Sequence, residues 1–396
     1  MSQWKPLGYE TLKWEINKDI STLSRRSISK ILPTYKSSLP NMISDKNITI
    51  DPDFEVAITD LLIKISRFDT IQSAKGYSFP TALLRSESAA SSQIENLTSS
   101  IRNIAIAELD SKSPKNAQII ANNVAAMRTA INTTEMLSIS TIQKIHNELM
   151  KSSKTIIPGD FRTQAVWIGG SPYSPHKAIF VPPHYTHIKN YMDDLILYAG
   201  RIDVNPIVKA AILHAQFETI HPFIDGNGRT GRALIHKSLK DDDVLKTVAL
   251  PISAGLLNNT KDYMSALLAF QDGNPIPIIE QVFNALELSL VIGSKASEDI
   301  SLVINEWEET LDEKKTSSMW DFLYLLIQQP VVNSTYLSNK LDLSVRGANL
   351  LIHRAVDLGI LRRIGNQRRG ILYQADDIIE IMDKISDIDS IKRLIA

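Results

Sequence analysis

Twelve consecutive residues, His221-Pro222-Phe223-Ile224-Asp225-Gly226-Asn227-Gly228-Arg229-Thr230-Gly231-Arg232, carry the densest chemistry in the chain. An imidazole, with an ordinary pKa of about 6.5, can take a proton from a hydroxyl near neutral pH, so His221 is a candidate general base. Asp225 lies between it and the glycines, where a carboxylate can hold Mg2+ together with phosphate oxygens. Gly226 and Gly228 permit the backbone conformations in which successive N–H groups converge on an anion. Arg229 and Arg232 share one face of a following helix and can grip two neighbouring phosphates. The run reads as a polyphosphate site with a base beside it. Its chemistry would be attack of an alcohol on phosphorus, helped by positioning and charge neutralisation.

Two helices must position such a loop. The apolar run Pro206–Ile220 predicts one before it, and Arg229–Leu239 predicts one after it. The loop then ends on a helix N-terminus, whose N–H groups and dipole favour an anion. A capping turn with surface arginines would explain any one of these residues, but not their joint occurrence. A metal-centred alternative rests on His214, Glu218 and His221, spaced to line one helix face. No HExxH pairing accompanies them and Pro222 ends the helix, so His214 reads as a packed histidine and Glu218 as a polar support for the loop. Neither a GxxxxGK[ST] loop nor a Rossmann glycine pattern occurs.

HPFIDGNGRTGR resembles the signature of the Fic domain, HPFx[D/E]GNGRxxR, at every specified position. Members of that family mostly transfer AMP from ATP to a Ser, Thr or Tyr hydroxyl of a protein. The resemblance implies His221 as the base and Asp225 as the Mg2+ ligand. It implies Asn227 and the loop amides as the cradle of the α- and β-phosphates, with Arg229 on the β-phosphate and Arg232 on the γ-phosphate. The nucleotide-binding run is thus Asp225 to Arg232, with Thr230 and Gly231 included, and Phe223 anchors it in the core. The kinase-like branch carries lysine where this chain has Gly228, so nucleotidyl transfer is expected.

Most of the surrounding sequence has helical spacing: Phe54–Ser66, Thr81–Leu109, Asn116–Met136, Ser140–Lys151, Ile188–Arg201, Thr260–Phe270 and Ile276–Ile292. The exception is Gln164–Pro183, whose alternation around Gly169-Gly170-Ser171-Pro172 predicts a β-hairpin. In the family a hairpin flap at this place registers the target segment, which draws Ile168, Gly169 and Gly170 towards the nucleotide site. The preceding Pro158-Gly159-Asp160-Phe161-Arg162 is similar to the family's lead-in. Upstream, Ser91-Ser92-Gln93-Ile94-Glu95-Asn96 resembles the family's inhibitory pattern [S/T]xxxE[G/N], so Ser91, Glu95 and Asn96 are candidate inhibitory residues. That resemblance implies that Glu95 binds Arg232 and displaces the γ-phosphate; on a solvated helix end Glu95 would do nothing of the kind. Thr260-Lys261-Asp262-Tyr263-Met264 stands where relatives place an aromatic pair against adenine, so Tyr263 and Met264 are candidate adenine contacts, or Tyr263 is a core tyrosine.

The chain has 396 residues, 43% hydrophobic and 22% charged, with 43 basic against 44 acidic side chains and a net charge of −1. No overall field drives it onto nucleic acid. The absence of cysteine excludes disulfides, thiol catalysis and cysteine-based metal sites. Apolar runs read as too short for a membrane span, and the polar start Met1-Ser2-Gln3-Trp4-Lys5 lacks a signal-peptide pattern, so a cytoplasmic protein without a membrane partner is expected.

Towards the C-terminus, Trp320–Gln328, Thr335–Leu341 and Ser344–Leu358 predict three helices, and Ile360–Tyr373 predicts a hairpin around Gly365-Asn366. That order is a winged helix-turn-helix pattern. Arg346, Arg354, Arg362, Arg363, Arg368 and Arg369 concentrate there, opposed only by Asp357, and Arg346, Asn349, Arg368 and Arg369 could contact DNA. An acidic tail tempers this, and protein docking is the alternative.

The expected architecture is mainly α: an N-terminal helical domain over 1–115, a Fic helical core with a β-hairpin flap over 116–295, and a winged helix over 296–396. The expected function is protein adenylylation with ATP and Mg2+, acting on the hydroxyl of a target protein or of the chain itself. Removal of AMP by the same site, and a DNA-binding regulator that uses the core as a nucleotide sensor, are the competing readings; a homodimer is compatible with each.

Overall fold

The helix Pro206–Ile220 is the centre of the molecule, a computed structural model that describes residues 4–14, 31–75, 79–110, 112–312, 314, 317–366 and 368–395. For 79–82, 388 and 394–395 only the backbone is described, so side chains of the 78–81 lead-in to the inhibitory segment lie outside the described residues. In the central helix every residue but Pro206 and Glu218 is buried. Its apolar residues favour no single face, as in a helix surrounded on all sides. Asn205 starts it by accepting the Ile207 N–H, with Pro206 at the first helical position. The helix Asn227–Asp241 packs against it after the intervening loop. Gly231 permits that approach, because a Cβ there would lie 2.4 Å from Glu218 Oε1 and 3.0 Å from His214 Nδ1.

The other helices of this body are Pro52–Ser73, Phe79–Ile94, Ile101–Ala107, Lys115–Asn132, Ile139–Met150, Ile188–Ala199, Ile252–Asn258, Thr260–Gln271 and Ile276–Thr310. The fold is mainly α-helical, as expected. One hydrophobic cluster runs from Ile43 to Ile391 without a break. The expected helix Thr81–Leu109 is interrupted: Asn96 has φ +61°, and chain direction changes before Ser100 caps the helix Ile101–Ala107.

Two expectations need correction. Gln164–Pro183 forms no strand ladder, only isolated bridges between Ile168 and Phe180 and between Ser171 and Ser174. Gly169 and Gly170 are both left-handed, with φ +74° and +75°, and a 3-10 turn occupies Pro175–Lys177. Neither conformation continues a ladder. The regular hairpin lies instead near the N-terminus, where Gly8–Lys13 pairs antiparallel with Thr34–Leu39. It covers the flap through Ser38 N–H to Val181 O (3.1 Å) and Ser37 Oγ to Pro182 O (3.0 Å). The second correction concerns apolar length. The helix Ile276–Thr310 is long and apolar enough to cross a membrane by composition, but half of its most apolar window is buried within the protein. Gly293 shows the packing, since a Cβ there would meet Leu250 and Phe68 at 3.1 and 3.2 Å.

At the C-terminal end, helices Ser318–Gln328, Ser334–Lys340 and Val345–Asp357 precede strands Arg362–Ile364 and Leu372–Gln374. Val331–Val332, not expected from the sequence, completes a three-stranded sheet with Leu372–Gln374 in the middle. Helices Asp376–Lys384 and Ile388–Ile395 follow. The basic cluster is less free than its composition suggests: Arg362 donates from Nε and Nη2 to Asp376 at 2.7 and 2.9 Å. Asn349 accepts from Ser334 Oγ at 2.6 Å, tying two helices together. Arg346, Arg368 and Arg369 are exposed.

Candidate active site

His221 ends the central helix in a left-handed conformation, φ +50° and ψ +59°, which costs a non-glycine residue about 1 kcal/mol and needs support from its surroundings. Arg162 supplies it. Its Nε donates to His221 O at 2.8 Å, its Nη2 to Pro183 O at 2.6 Å and Ile220 O at 3.4 Å, and its own N–H to Pro222 O at 2.9 Å. Burial pushes the Arg162 pKa down to about 10, so it stays charged while bridging loop and flap.

Two further groups close the loop. Asn227 accepts the Phe223 N–H and donates to Phe223 O, each at 2.9 Å. Its buried side chain is therefore an internal brace of the loop, and the residue also lines the cavity described below. Phe223 is fully buried and stacks on His146 at 3.6 Å between ring centroids. His146 lies 3.0 Å from Asp225 O through Nε2 and accepts the Gly159 N–H at Nδ1. Burial lowers its pKa to about 4, so it is neutral at physiological pH.

The loop then opens into the next helix. Gly226 is left-handed, φ +78°, and among the described residues no acceptor is in place for the N–H groups of Asn227, Gly228 and Arg229. Asp225 is 64% exposed, with Oδ1 receiving the Gly226 N–H at 2.6 Å and lying 3.8 Å from Arg229 Nη2. Thr230 is fully buried and donates its backbone N–H to Gly226 O at 3.0 Å.

Glu95 reaches both arginines. Its Oε1 accepts from Arg232 Nη2 at 2.8 Å, and its Oε2 lies 2.8 Å from Arg229 Nε. The Arg229 contact has ion-pair distance without hydrogen-bond alignment, leaving Arg229 Nε and Nη1 buried without a hydrogen-bond partner. Arg232 is further held by Ser91, through Oγ and the backbone carbonyl, each at 2.8 Å. Burial opposes the Arg232 charge, but Glu95, Tyr263 and Glu218 together outweigh it and the pKa is raised. Asn96 explains the last position of the inhibitory pattern: the residue after Glu95 turns the chain left-handed, where Asn or Gly is tolerated. Gly228 makes room for the carboxylate, because a Cβ there would lie 2.5 Å from Glu95 Oε1.

A cavity of about 450 Å3 connects these groups, walled by His221, Gly228, Arg232, Glu95, Tyr263 and the flap residues Ile168 and Phe180. Burial lowers the His221 pKa to about 4, and Arg162 adds to the effect, so the imidazole is unprotonated at neutral pH. Burial also pushes Glu218 up to about 7 and His214 down to about 3. His214 Nε2 meets Tyr263 Oη at 2.8 Å. Among the described residues no group of three or more potential ligands is placed for a metal ion, so the His214–Glu218–His221 alternative has no support.

Of the two readings of Tyr263, adenine contact or core tyrosine, its burial favours the second. It is 1% exposed and its ring lies against His214, so it is a wall of the cavity rather than a free stacking face. Met264 is 43% exposed on the same rim. Gly169 and Gly170 shape the flap, and a Cβ at Gly170 would lie 2.4 Å from Lys177 O.

The Fic/DOC family model matches residues 136–239. This segment is a Fic domain. Among curated proteins, the chain is similar to protein adenylyltransferase fic-1 of Caenorhabditis elegans, 28% identical over 185 residues, or 46% of this chain and 34% of that one. It is also similar to a probable protein adenylyltransferase of Aquifex aeolicus, 31% identical over 148 residues, 37% of this chain and 41% of that one. The chain thus matches between a third and two-fifths of the length of these relatives. Its fold is shared with a Fic family protein from Desulfovibrio desulfuricans, with 22% identity, a TM-score of 0.52, and coverage of 83% of this chain and 97% of that one. Within the Fic domain, the sequence marks Arg162 only as the end of a family-like lead-in, without its bracing role, and does not mark His146. No local pattern marks an arginine whose key acceptor lies 59 positions away. His146 could have been suspected from its place on the buried stripe of an amphipathic helix.

Proposed function

We propose that the chain transfers AMP from ATP to a Ser, Thr or Tyr hydroxyl of a protein, itself included, and that Glu95 holds this activity in check. One observation carries the reading: a neutral His221, the unpaired amides of Asn227 and Gly228 and the buried Arg232 line one cavity, and Glu95 on its wall reaches the buried Arg229 beside it. The names of the similar curated proteins support it. The hydroxyl oxygen would bond the α-phosphorus while the P–O bond to the bridging oxygen breaks. The hydroxyl proton would pass to His221, and diphosphate would leave with the bridging oxygen. The amides of Asn227, Gly228 and Arg229 and the side chains of Arg229 and Arg232 would bind and orient the phosphates.

Asp225 fits a Mg2+ role. It is the exposed carboxylate beside these amides, and Mg2+ commonly binds through one or two carboxylates plus substrate phosphates. When bound, the ion would neutralise charge on the phosphate oxygens. Glu95 occupies the arginine positions that the terminal phosphates need, and its negative charge repels them.

Mass spectrometry of the chain and of lysate proteins after incubation with ATP and Mg2+ tests the reading. A mass increase of one AMP on a hydroxyl residue, absent in His221→Ala, is expected. Release of AMP from an already modified protein, without transfer in any variant, would reverse the assigned direction.

A further inference from the structure

The helix Pro52–Ser73 buries one face, through Ile58, Leu61, Ile65 and Phe68, and packs against the helix Ile276–Thr310. Its opposite face carries Val56, Ile63 and Ile71, which are 62%, 62% and 50% exposed. Asp60 and Arg67 stand between them and are also exposed. At about 3.6 residues per turn, these five fall within roughly 80° around the helix axis. Single exposed aliphatic residues are ordinary, but a stripe of them about 22 Å long is a feature of a covered surface. Local propensity does not account for it, because β-branched residues are poor choices at a solvent-facing helix position.

The order along the stripe says what covers it. About the midpoint between Ile63 and Lys64 the face is complementary to itself. Val56 and Ile71 are equally far from that point and both apolar; Asp60 and Arg67 are equally far from it and opposite in charge. Among the described residues neither Asp60 nor Arg67 has a side-chain partner of its own. A second copy of the helix, laid antiparallel, sets Val56 against Ile71 and Asp60 against Arg67, each twice, around the two Ile63 side chains. The Lys64 stems flank that centre. Self-complementarity of this kind belongs to a two-fold interface between identical chains. Mixed charge on the face does not suit an anionic lipid surface.

We propose that the chain forms a two-fold homodimer through the outer face of the helix Pro52–Ser73, with the two helices antiparallel. The helix lies outside residues 136–239 and supplies nothing to the cavity of His221, so this inference is independent of the proposed function.

Sedimentation velocity of the full chain over a range of concentrations tests it. Wild type should show a monomer–dimer equilibrium. Asp60→Arg and Arg67→Asp change exposed side chains and should fold normally, which their thermal midpoints check. Each alone brings like charges together twice per dimer and should weaken self-association about tenfold. An equimolar mixture of the two variants restores both opposite-charge pairs in the heterodimer, so it should associate about as tightly as wild type. Ile63→Glu, which places two carboxylates at the centre, should leave monomer. A wild-type chain that stays monomeric at every concentration would give the face to a different partner and overturn the proposal. So would a dimer that neither charge change weakens, or a mixture that does not regain the association.

Discussion

The loop His221–Arg232 and the flap Gln164–Pro183 face each other across one cavity but are held by different means. In the loop, buried side chains from distant elements fix the backbone: Arg162 on His221 and Pro222, Asn227 on Phe223, His146 on Asp225. In the flap, one bridge joins Ile168 to Phe180, another joins Ser171 to Ser174, and Trp167 Nε1 donates to Ser171 O at 2.7 Å. Its ends are tied by Arg162 to Gln164 O and Pro183 O and by Ser37 and Ser38 of the N-terminal hairpin, while two left-handed glycines shape the tip. The loop is braced along its length, whereas the flap is braced mainly at its ends. Such a division suits the proposed function, a fixed nucleotide site beside a surface that would receive polypeptide segments.

The largest break in this comparison is His221→Ala. It removes the proposed base and leaves the braces intact, so AMP transfer should fall by about 10²–10⁴-fold with an unchanged thermal midpoint. A rate near wild type would show that another group takes the proton.

Acid should act next, through burial around the loop. His146, His214 and His221 have folded pKa values of about 4, 3 and 4, well below the ordinary 6.5. Between pH 6.5 and about 4 the unfolded chain therefore binds three protons that the folded chain refuses. Glu218, pushed up to about 7, is protonated in the folded state first and offsets one of them. Stability is present above pH 6.5 and should fall as pH drops towards 4, by about 2–3 kcal/mol per unit. Denaturant unfolding at pH 7 and pH 5 measures it, and a flat profile would contradict the burial of these groups. The acid limb of kcat/KM should likewise lie nearer pH 4 than 6.5.

Asn227→Ala sharpens the contrast at a smaller scale. It strands the Phe223 N–H and carbonyl, each a buried partner, and should cost about 2 kcal/mol while lowering transfer. Chemical denaturation checks the cost. Gly170→Ala should do the least to stability, since it strains only the flap: its Cβ meets Lys177 O at 2.4 Å. Steady-state kinetics should show a raised KM for the target protein with kcat and the thermal midpoint little changed. An equal fall in kcat would mean that the flap is coupled to the loop.

How much of this was legible in the sequence follows the same division. The central helix was read with its observed bounds, Pro206–Ile220, because Asn205-Pro206 starts it and His221-Pro222 stops it. The chemistry of the loop was legible because it is contiguous. The pairing of Glu95 with Arg232 was anticipated from a pattern that resembles a family's, and the structure adds Arg229 as a second partner. The bracing roles of Arg162 and His146 are not legible because they are long-range, from side chain to backbone. The flap was over-read, since alternation does not reveal consecutive left-handed glycines. The N-terminal hairpin was under-read: Gly8–Lys13 and Thr34–Leu39 are short, polar and far apart in sequence. Ile252–Asn258 was missed as a helix for similar reasons, being only 7 residues long and lacking a side-chain cap.

The central claim is that Glu95, by holding both arginines, keeps this site from using ATP productively. The direct measurement is transfer of labelled AMP by wild type, Glu95→Gly and Glu95→Gly/Arg232→Ala, side by side with Mg2+. Misplaced phosphates can cost about 10²-fold in rate, so Glu95→Gly should gain on that order and the double variant should lose most of the gain. Equal rates for wild type and Glu95→Gly would contradict the account.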